Sequence, residues 1–405
     1  LKFLPLPNFS DRSISAGRYN YVTQTENQTP QRMETVKLDY NLSSNNLLMV
    51  NFSDYSDVEE GAVGAGTSGN VKWPQFKKKT THNGWLSLVR YTRIFTPALV
   101  NEFNISYSTR PEIGSYEESE LKRNQRSTIG FGVPQFNPAS NPLGVVPNAS
   151  FGGVTNSADL LIEGRFPLYT THQIFTLTNN LAWTHGGHTA KLGYYADHFW
   201  RNASDAVPFN GSFDFGRNVN NPLDTGYAYA NAMVGVFNSY TEVSSRPFMH
   251  YRLTTMEWFA QDNWKVTRRL TLDLGARFSW FPPIYERDNL ASGFVPSRWD
   301  PANRVNLISP AIVSGQRVGV NPAGGQVYSA QLIGAIAPGK GDPANGLVVP
   351  ATDKSYPRAL IEDRGLHLSP RFGFAYDPFG NGKTAVRGGF GFFYNRENLS
   401  AVLLP

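Results

Sequence analysis

Three short stretches carry residue types at spacings that elsewhere hold phosphate or metal. Gly64-Ala65-Gly66-Thr67-Ser68-Gly69 matches G-x-G-x-x-G. That pattern cradles a pyrophosphate only where it joins a strand to a helix, whose first N–H groups point at the anion. Asn70-Val71-Lys72-Trp73-Pro74 follows and starts no helix, so the stretch reads as a loop. Gly380-Asn381-Gly382-Lys383-Thr384 resembles the end of a phosphate-binding loop. Asp377 stands where its first glycine is required, and Ala385 to Phe390 read as strand, so a hairpin turn is expected. His185-Gly186-Gly187-His188 sets two imidazoles on a tight turn with no third ligand nearby, which again reads as a plain turn. The one basic run, Lys77-Lys78-Lys79, reads as a solvated loop and not as a nucleic-acid patch. No Ser-His-Asp order or carboxylate pair can be placed by spacing. Asn-x-Ser matches such as Asn104-Ile105-Ser106 fall by chance in an Asn- and Ser-rich chain. No catalytic residue, cofactor or metal site is expected, and the chain does not read as an enzyme.

The elements around these stretches are more informative. Period-two alternation marks a strand with two unlike faces. From Leu270 to Trp280, Leu270, Leu272, Leu274, Ala276, Phe278 and Trp280 oppose Thr271, Asp273, Gly275, Arg277 and Ser279. From Ala190 to Arg201, Ala190, Leu192, Tyr194, Ala196 and Trp200 share a face with His198, opposite Lys191, Gly193, Tyr195, Asp197, Phe199 and Arg201. Phe103, Ile105 and Tyr107 oppose Glu102, Asn104, Ser106 and Ser108, and Val36, Leu38, Tyr40 and Leu42 oppose Lys37, Asp39 and Asn41.

Turn residues pair such strands into five hairpins: 32–42 with 47–57, 82–95 with 99–110, 172–184 with 188–202, 250–264 with 269–281, and 369–376 with 383–394. Between hairpins run long connections, about 58–81, 111–171, 203–249 and 282–368, rich in Gly, Pro, Asn and Ser. They read as loops without a packed core of their own, except that Asp224 to Phe237 predicts a short amphipathic helix or an inserted hairpin. In an up-and-down sheet, connections alternate between ends, so every short turn lies on one side and every long loop on the other. Soluble domains rarely carry several such loops, whereas outer-membrane barrels show this asymmetry.

Composition agrees. The 405 residues include 27 Phe, 19 Tyr, 8 Trp and 37 Gly, with a charged fraction of only 17%, which favours many strands and turns over helices. No window of eighteen apolar residues marks a membrane helix. Cysteine is absent, so disulfides and thiolate metal sites are excluded without fixing the compartment. The net charge of +5 is scattered. The expected fold is all-β: an antiparallel up-and-down transmembrane barrel, in part, with about ten long strands. Trp183, Tyr194, Trp200, Trp258, Trp264 and Trp280 suit aromatic girdles at the lipid interface. The competing expectation is the core of a soluble β-sandwich.

The run Trp258-Phe259-Ala260-Gln261-Asp262-Asn263-Trp264-Lys265-Val266-Thr267-Arg268-Arg269-Leu270-Thr271-Leu272-Asp273-Leu274-Gly275-Ala276-Arg277-Phe278 resembles a hairpin of TonB-dependent outer-membrane receptors, closest to their Oar-like branch. Thr96 to Phe103, Ser369 to Pro378 and Gly388 to Tyr394 resemble further stretches of that branch, so the likeness covers roughly 32–396. It implies a 22-stranded barrel around an N-terminal plug, importing a scarce nutrient with energy from TonB. The chain shows no signal peptide, plug, TonB-contacting box or terminal aromatic strand, and stops at Leu403-Leu404-Pro405, so it is expected to be an internal piece of a barrel. On this reading Lys191, Asp197, Arg201, Asp273 and Arg277 line the lumen, while Leu192, Tyr194, Leu272, Leu274, Ala276 and Phe278 face lipid. The partners are outer-membrane lipid, the TonB complex through an N-terminal region, and an extracellular ligand; loop aromatics such as Phe213, Phe215, Trp299 and Tyr328 read as ordinary loop packing ahead of stacking on a carbohydrate or aromatic ligand. The alternative is an adhesive or structural barrel that imports nothing.

Overall fold

The computed structural model of the chain describes residues 4–62, 73–74, 76–204 and 208–396. The G-x-G-x-x-G stretch and the final Leu403-Leu404-Pro405 lie outside the described residues. Ten strands form one antiparallel wall: β1 Gln31–Ser43, β2 Asn46–Gly61, β3 Lys78–Thr81 continuing as Gly84–Thr96, β4 Leu99–Tyr116, β5 Leu168–His185, β6 His188–Ser204, β7 Phe248–Lys265, β8 Leu270–Trp280, β9 Leu366–Tyr376 and β10 Val386–Gly391. The two parts of β3 are one strand, because Val58 faces Thr81 and Tyr55 faces Gly84 in unbroken register. Each strand pairs with its neighbours in the chain, from β1 through to β10. All five expected hairpins are present.

The turns follow their residues. β1 and β2 join through Ser44-Asn45, β3 and β4 through Pro97-Ala98, and β5 and β6 through Gly186-Gly187. Gly186 takes φ +55°, a conformation that glycine adopts without steric cost. Between β9 and β10 the Asp377 carboxylate accepts from the N–H groups of Phe379, Gly380 and Gly382, at 3.1, 2.8 and 2.8 Å. The donors that a phosphate would need are therefore taken by the chain's own acid. At the His turn, His185 stacks on Trp183 and His188 Nδ1 lies 2.6 Å from Asp262 Oδ2, so the two rings point to different partners.

The register extends the alternation into two continuous faces, since directly opposed residues on antiparallel strands point to the same side. One row reads Leu38, Val50, Val89, Ile105, Leu177, Ala196, Met256, Trp280 and Leu366 across β1 to β9. The adjacent row reads Asp39, Met49, Arg90, Asn104, Thr178, Tyr195, Glu257, Ser279 and His367. A one-residue slip anywhere would mix these faces. The apolar face is open: Leu38 is 63% exposed, Leu192 51% and Phe372 47%. Each such half-exposed side chain forgoes about half of the ~1.5–3 kcal/mol of full burial if left in water, and so many on one surface require an apolar solvent. This arrangement excludes the sandwich, in which those faces would be sealed together.

Aromatic side chains border the apolar face. Phe52, Trp85, Tyr107 and Trp200 form a contiguous row toward the long connections, with ring centroids 6.1, 5.1 and 6.5 Å apart. Trp280 stands opposite Met256, and Trp264 opposite Leu272 near the turns. Eight residues separate these two levels, about 27 Å along the strand and about 20 Å in depth at the usual barrel tilt.

The buried core lies elsewhere than the wall. Trp73, Phe76, Tyr116, Val145, Val146, Ile162, Phe166 and Leu168 cluster where the first two long connections meet the strand ends. Trp73 Nε1 donates to the Asp159 carbonyl at 2.8 Å, and the rings of Tyr116 and Phe166 meet edge-on at 5.2 Å. Asn148–Ser150, Ser212–Asp214 and Ser239–Thr241 form a small sheet that ties the second connection to the third. Asp224 to Phe237 resolves as the helix Ala228–Val234. The expectation of loops without their own core is thus corrected, since irregularly spaced aromatics from distant segments pack together into a cap. The basic run is corrected as well. Lys78 is buried in β3 with its Nζ 3.9 Å from Glu163, and only Lys77 lies outside the strand.

Candidate functional site

The polar face holds a cavity of about 360 Å³ built by β6, β7, β8, β9 and the segment after β10. Its walls follow from strand parity: Tyr195 and Asp197 on β6, Thr255 and Glu257 on β7, Arg277 and Ser279 on β8, Ser369 and Arg371 on β9. Phe393, Tyr394 and Arg396 close it. Asp197 is almost fully buried. Its carboxylate accepts from the Thr255 N–H and the Tyr195 hydroxyl, both at 3.1 Å, and lies 3.5 Å from the Arg396 guanidinium. Glu257 accepts from Arg277 and from the Ser279 hydroxyl, the latter at 2.8 Å. Arg371 lies over the Phe393 ring at 4.8 Å, and Arg277 over Phe259 at 5.8 Å. A second cavity of about 320 Å³ adjoins it and shares Phe281, Tyr394, Asn395 and Arg396, with Leu253, Pro282, Pro283 and Ile284 as an apolar wall.

Two carboxylates, three guanidiniums and two phenols beside an apolar ledge can hold a polar or anionic solute through charge-assisted hydrogen bonds, with aromatic contact alongside. Of the five residues expected on this side, Asp197 and Arg277 line the first cavity together. Lys191, Arg201 and Asp273 share their face but lie away from it. Lys191 pairs with Gln261, Arg201 faces Tyr251, and Asp273 faces Asn263. Glu257, Arg371 and Arg396 were not among the expected residues. Glu257 and Arg371 occupy alternate positions of strands whose parity follows from β8 through the register, a signal that pairing alone reveals. On the opposite face stand Leu192, Tyr194, Trp200, Trp258, Trp264, Leu272, Leu274, Phe278 and Trp280. The loop aromatics pack on one another: the Phe213 ring lies 5.8 Å from Phe215, 5.3 Å from Phe237 and 4.5 Å from Tyr240.

A long-stranded meander with one exposed apolar face, one charged face and all long connections at one end is the wall of an outer-membrane β-barrel. The chain belongs to the outer membrane beta barrel domain family, which it matches over residues 1–404, and it is a protein of the outer membrane. Among solved structures it is similar to the copper transporter OprC, at 11% identity over 90% of this chain and 36% of that one, with a TM-score of 0.41. It is also similar to the ferric-catecholate import receptor Fiu from Escherichia coli K12, at 11% identity over 90% and 43% with a TM-score of 0.41. The siderophore receptor PiuA from Acinetobacter baumannii gives 11% identity over 88% and 48% with a TM-score of 0.37. The chain spans between about a third and a half of the length of these structures. No curated protein matches it.

Proposed function

We propose that this wall belongs to a TonB-dependent outer-membrane receptor of the Oar-like branch, which takes up a scarce nutrient such as a carbohydrate or a siderophore. The observation that carries the reading is the charged, cavity-bearing polar face, which runs in register from β1 to β9 behind a largely apolar one. As a lumen it offers Lys191, Asp197, Arg201, Asp273 and Arg277 to a passing solute, while Leu192, Leu272, Leu274 and Phe278 meet lipid, with the Trp residues at its borders. The packed cap stands on the cell exterior, where a ligand arrives. Energy would come from the TonB complex through an N-terminal region of the parent protein. A barrel that only adheres or scaffolds needs neither a continuous charged lumen nor that complex.

These 405 residues contain no cysteine, so any thiol in this wall is an introduced one. Single cysteines are placed at Leu274, Phe372, Asp273 and Arg277 in the intact protein in native membranes. A small water-soluble maleimide should label the last two and spare the first two, and lipid-borne quenchers should act only on the first two. The reverse pattern would show that the faces are exchanged. Binding of the intact protein to the purified periplasmic domain of TonB then separates the two readings: a saturable complex supports uptake, and none supports the adhesive barrel.

A further inference from the structure

A row of acids and one imidazole on the polar face lies outside the cavities. His82 sits in the break of β3. The register places it opposite Asp57 on β2, between the pairs Val58–Thr81 and Tyr55–Gly84. The same register places it opposite Glu112 on β4, between Thr81–Ile113 and Trp85–Thr109. The backbone agrees, since the His82 N–H donates to the Asp57 carbonyl at 2.8 Å. His82 Nδ1 lies 3.8 Å from Asp57 Oδ2, and Nε2 lies 4.0 Å from Glu112 Oε1. Glu59, two residues beyond Asp57 on the same face, completes a group whose donor atoms lie within 4.8 Å of one another.

Asp57 is 6% exposed and His82 4%. The Tyr55 hydroxyl donates to Asp57 Oδ2 at 3.1 Å. Asp57 Oδ1 and His82 Nδ1 have no hydrogen-bond partner among the described residues. Buried polar atoms are normally paired. A divalent cation would give both atoms a partner at once. The other acid–imidazole group, His250, Glu286 and Asp288, has no such vacancy. Arg287 Nη2 lies 3.3 Å from His250 Nδ1 and 3.1 Å from Asp288 Oδ2, and Glu286 accepts from the N–H groups of His250 and Leu290.

We propose that Asp57, Glu59 and His82, with Glu112 within reach of the ring, bind a transition-metal dication at the loop end of the wall. An imidazole with carboxylates suits Zn²⁺ or Mn²⁺, whereas Ca²⁺ prefers oxygen donors alone. Bonds of about 2.0–2.2 Å set neighbouring donors about 3.3 Å apart, so the 3.8 Å gap between His82 and Asp57 closes by a small side-chain shift. The cation would clamp β2 to β3 and β4 where the wall meets the cap.

The test uses the intact protein in detergent, stripped of metal. Zn²⁺ is titrated by calorimetry, and Co²⁺ by its visible absorption, which reports imidazole–carboxylate coordination. The expected result is one saturable equivalent, with Co²⁺ displaced by Zn²⁺. Asp57→Asn and His82→Gln, close in shape to the originals, should each weaken binding at least ~10-fold, while His250→Gln should leave it unchanged. Heat-modifiable migration on gels reports whether each variant is a folded barrel. If His82→Gln does not fold, Asp57→Asn and Glu59→Gln carry the comparison. No saturable equivalent in the wild type, or wild-type affinity in the folded variants, overturns the assignment.

Discussion

Arginine at Ala276 is the most direct probe of where the oily layer begins and ends. Ala276 lies on the apolar face between Ala260 and Pro370. It is four residues from Leu272, at the level of Trp264, and four from Trp280. At about 3.3 Å per residue and a tilt of about 40°, that is about 10 Å in depth from either tryptophan level. Leu274 is only two residues, about 5 Å, above the lower level by the same measure. An arginine at the bilayer midplane costs about 2–4 kcal/mol, and the cost fades toward the interfaces. Ala276→Arg should therefore reach that range, and Leu274→Arg should fall well short of it, because the headgroups lie nearer and the arginine can snorkel to them. Arg277→Leu, one residue away but on the opposite face, removes a partner of Glu257 that still keeps the Ser279 hydroxyl. A partly exposed ion pair of this kind contributes about 1 kcal/mol or less. The assay is urea-induced unfolding of the intact protein in phosphatidylcholine vesicles, followed by tryptophan fluorescence. The ranking Ala276→Arg, then Leu274→Arg, then Arg277→Leu is expected. Equal costs at Ala276 and Arg277, or a greater cost at Arg277, would refute the placement of lipid against this face.

Two more outcomes follow from packing and protonation. Gly193 faces Phe259 across β6 and β7, and a Cβ at this glycine would come within 2.1 Å of the ring. Gly193→Val should destabilise the wall by about 1–3 kcal/mol through forced displacement of Phe259, and Phe259→Leu should restore part of the loss in the same unfolding assay. Glu242 joins two connections by accepting from the Tyr240 hydroxyl at 2.6 Å, the Phe136 N–H at 3.2 Å and the Asn137 N–H. Burial pushes its carboxyl up, but those donors outweigh burial and hold it below the usual carboxylate range. The folded cap thus favours the charged form. Its contribution is complete above the unfolded-chain value and is lost as the pH falls through the lowered one. Limited proteolysis across 131–141 should accelerate on acidification below the usual carboxylate range and lose that response in Glu242→Gln. A cleavage rate that ignores pH in the wild type would contradict it.

The wall was legible in the sequence because each strand meets two different solvents, so its side chains largely alternate with period two, and Gly, Pro, Asn or Asp mark four of the five bends. Val36, Phe103, Leu192 and Leu274 fall where alternation puts them, and the register joins them on one surface. The cap was not legible. Asn148–Ser150 pairs with Ser212–Asp214 across more than sixty residues, in strands too short to show any period. Lys78 looked solvated because a run of three lysines gives no hint of Glu163, which arrives from a different connection. The polar site was half legible for the same reason. Asp197 and Arg277 belong to strongly alternating strands, whereas Arg396 reaches Asp197 only through the folded path of the chain after β10. The row of Asp57, His82 and Glu112 exists only once three strands are aligned.

Nearest-neighbour pairing also separates local joints from remote ones. Within each hairpin the partners are close along the chain, as with His185 and His188, so little entropy is spent bringing them together. Contacts between hairpins are remote, as with Glu102 and Asn180 or Arg277 and Ser369, and they must await the gathering of an intervening connection. The five hairpins are therefore prefabricated panels. The remote joints are the seams β4 with β5, β6 with β7 and β8 with β9, where a trapped half-built form is expected to come apart, whereas β2 meets β3 as close along the chain as Gly61 and Lys78.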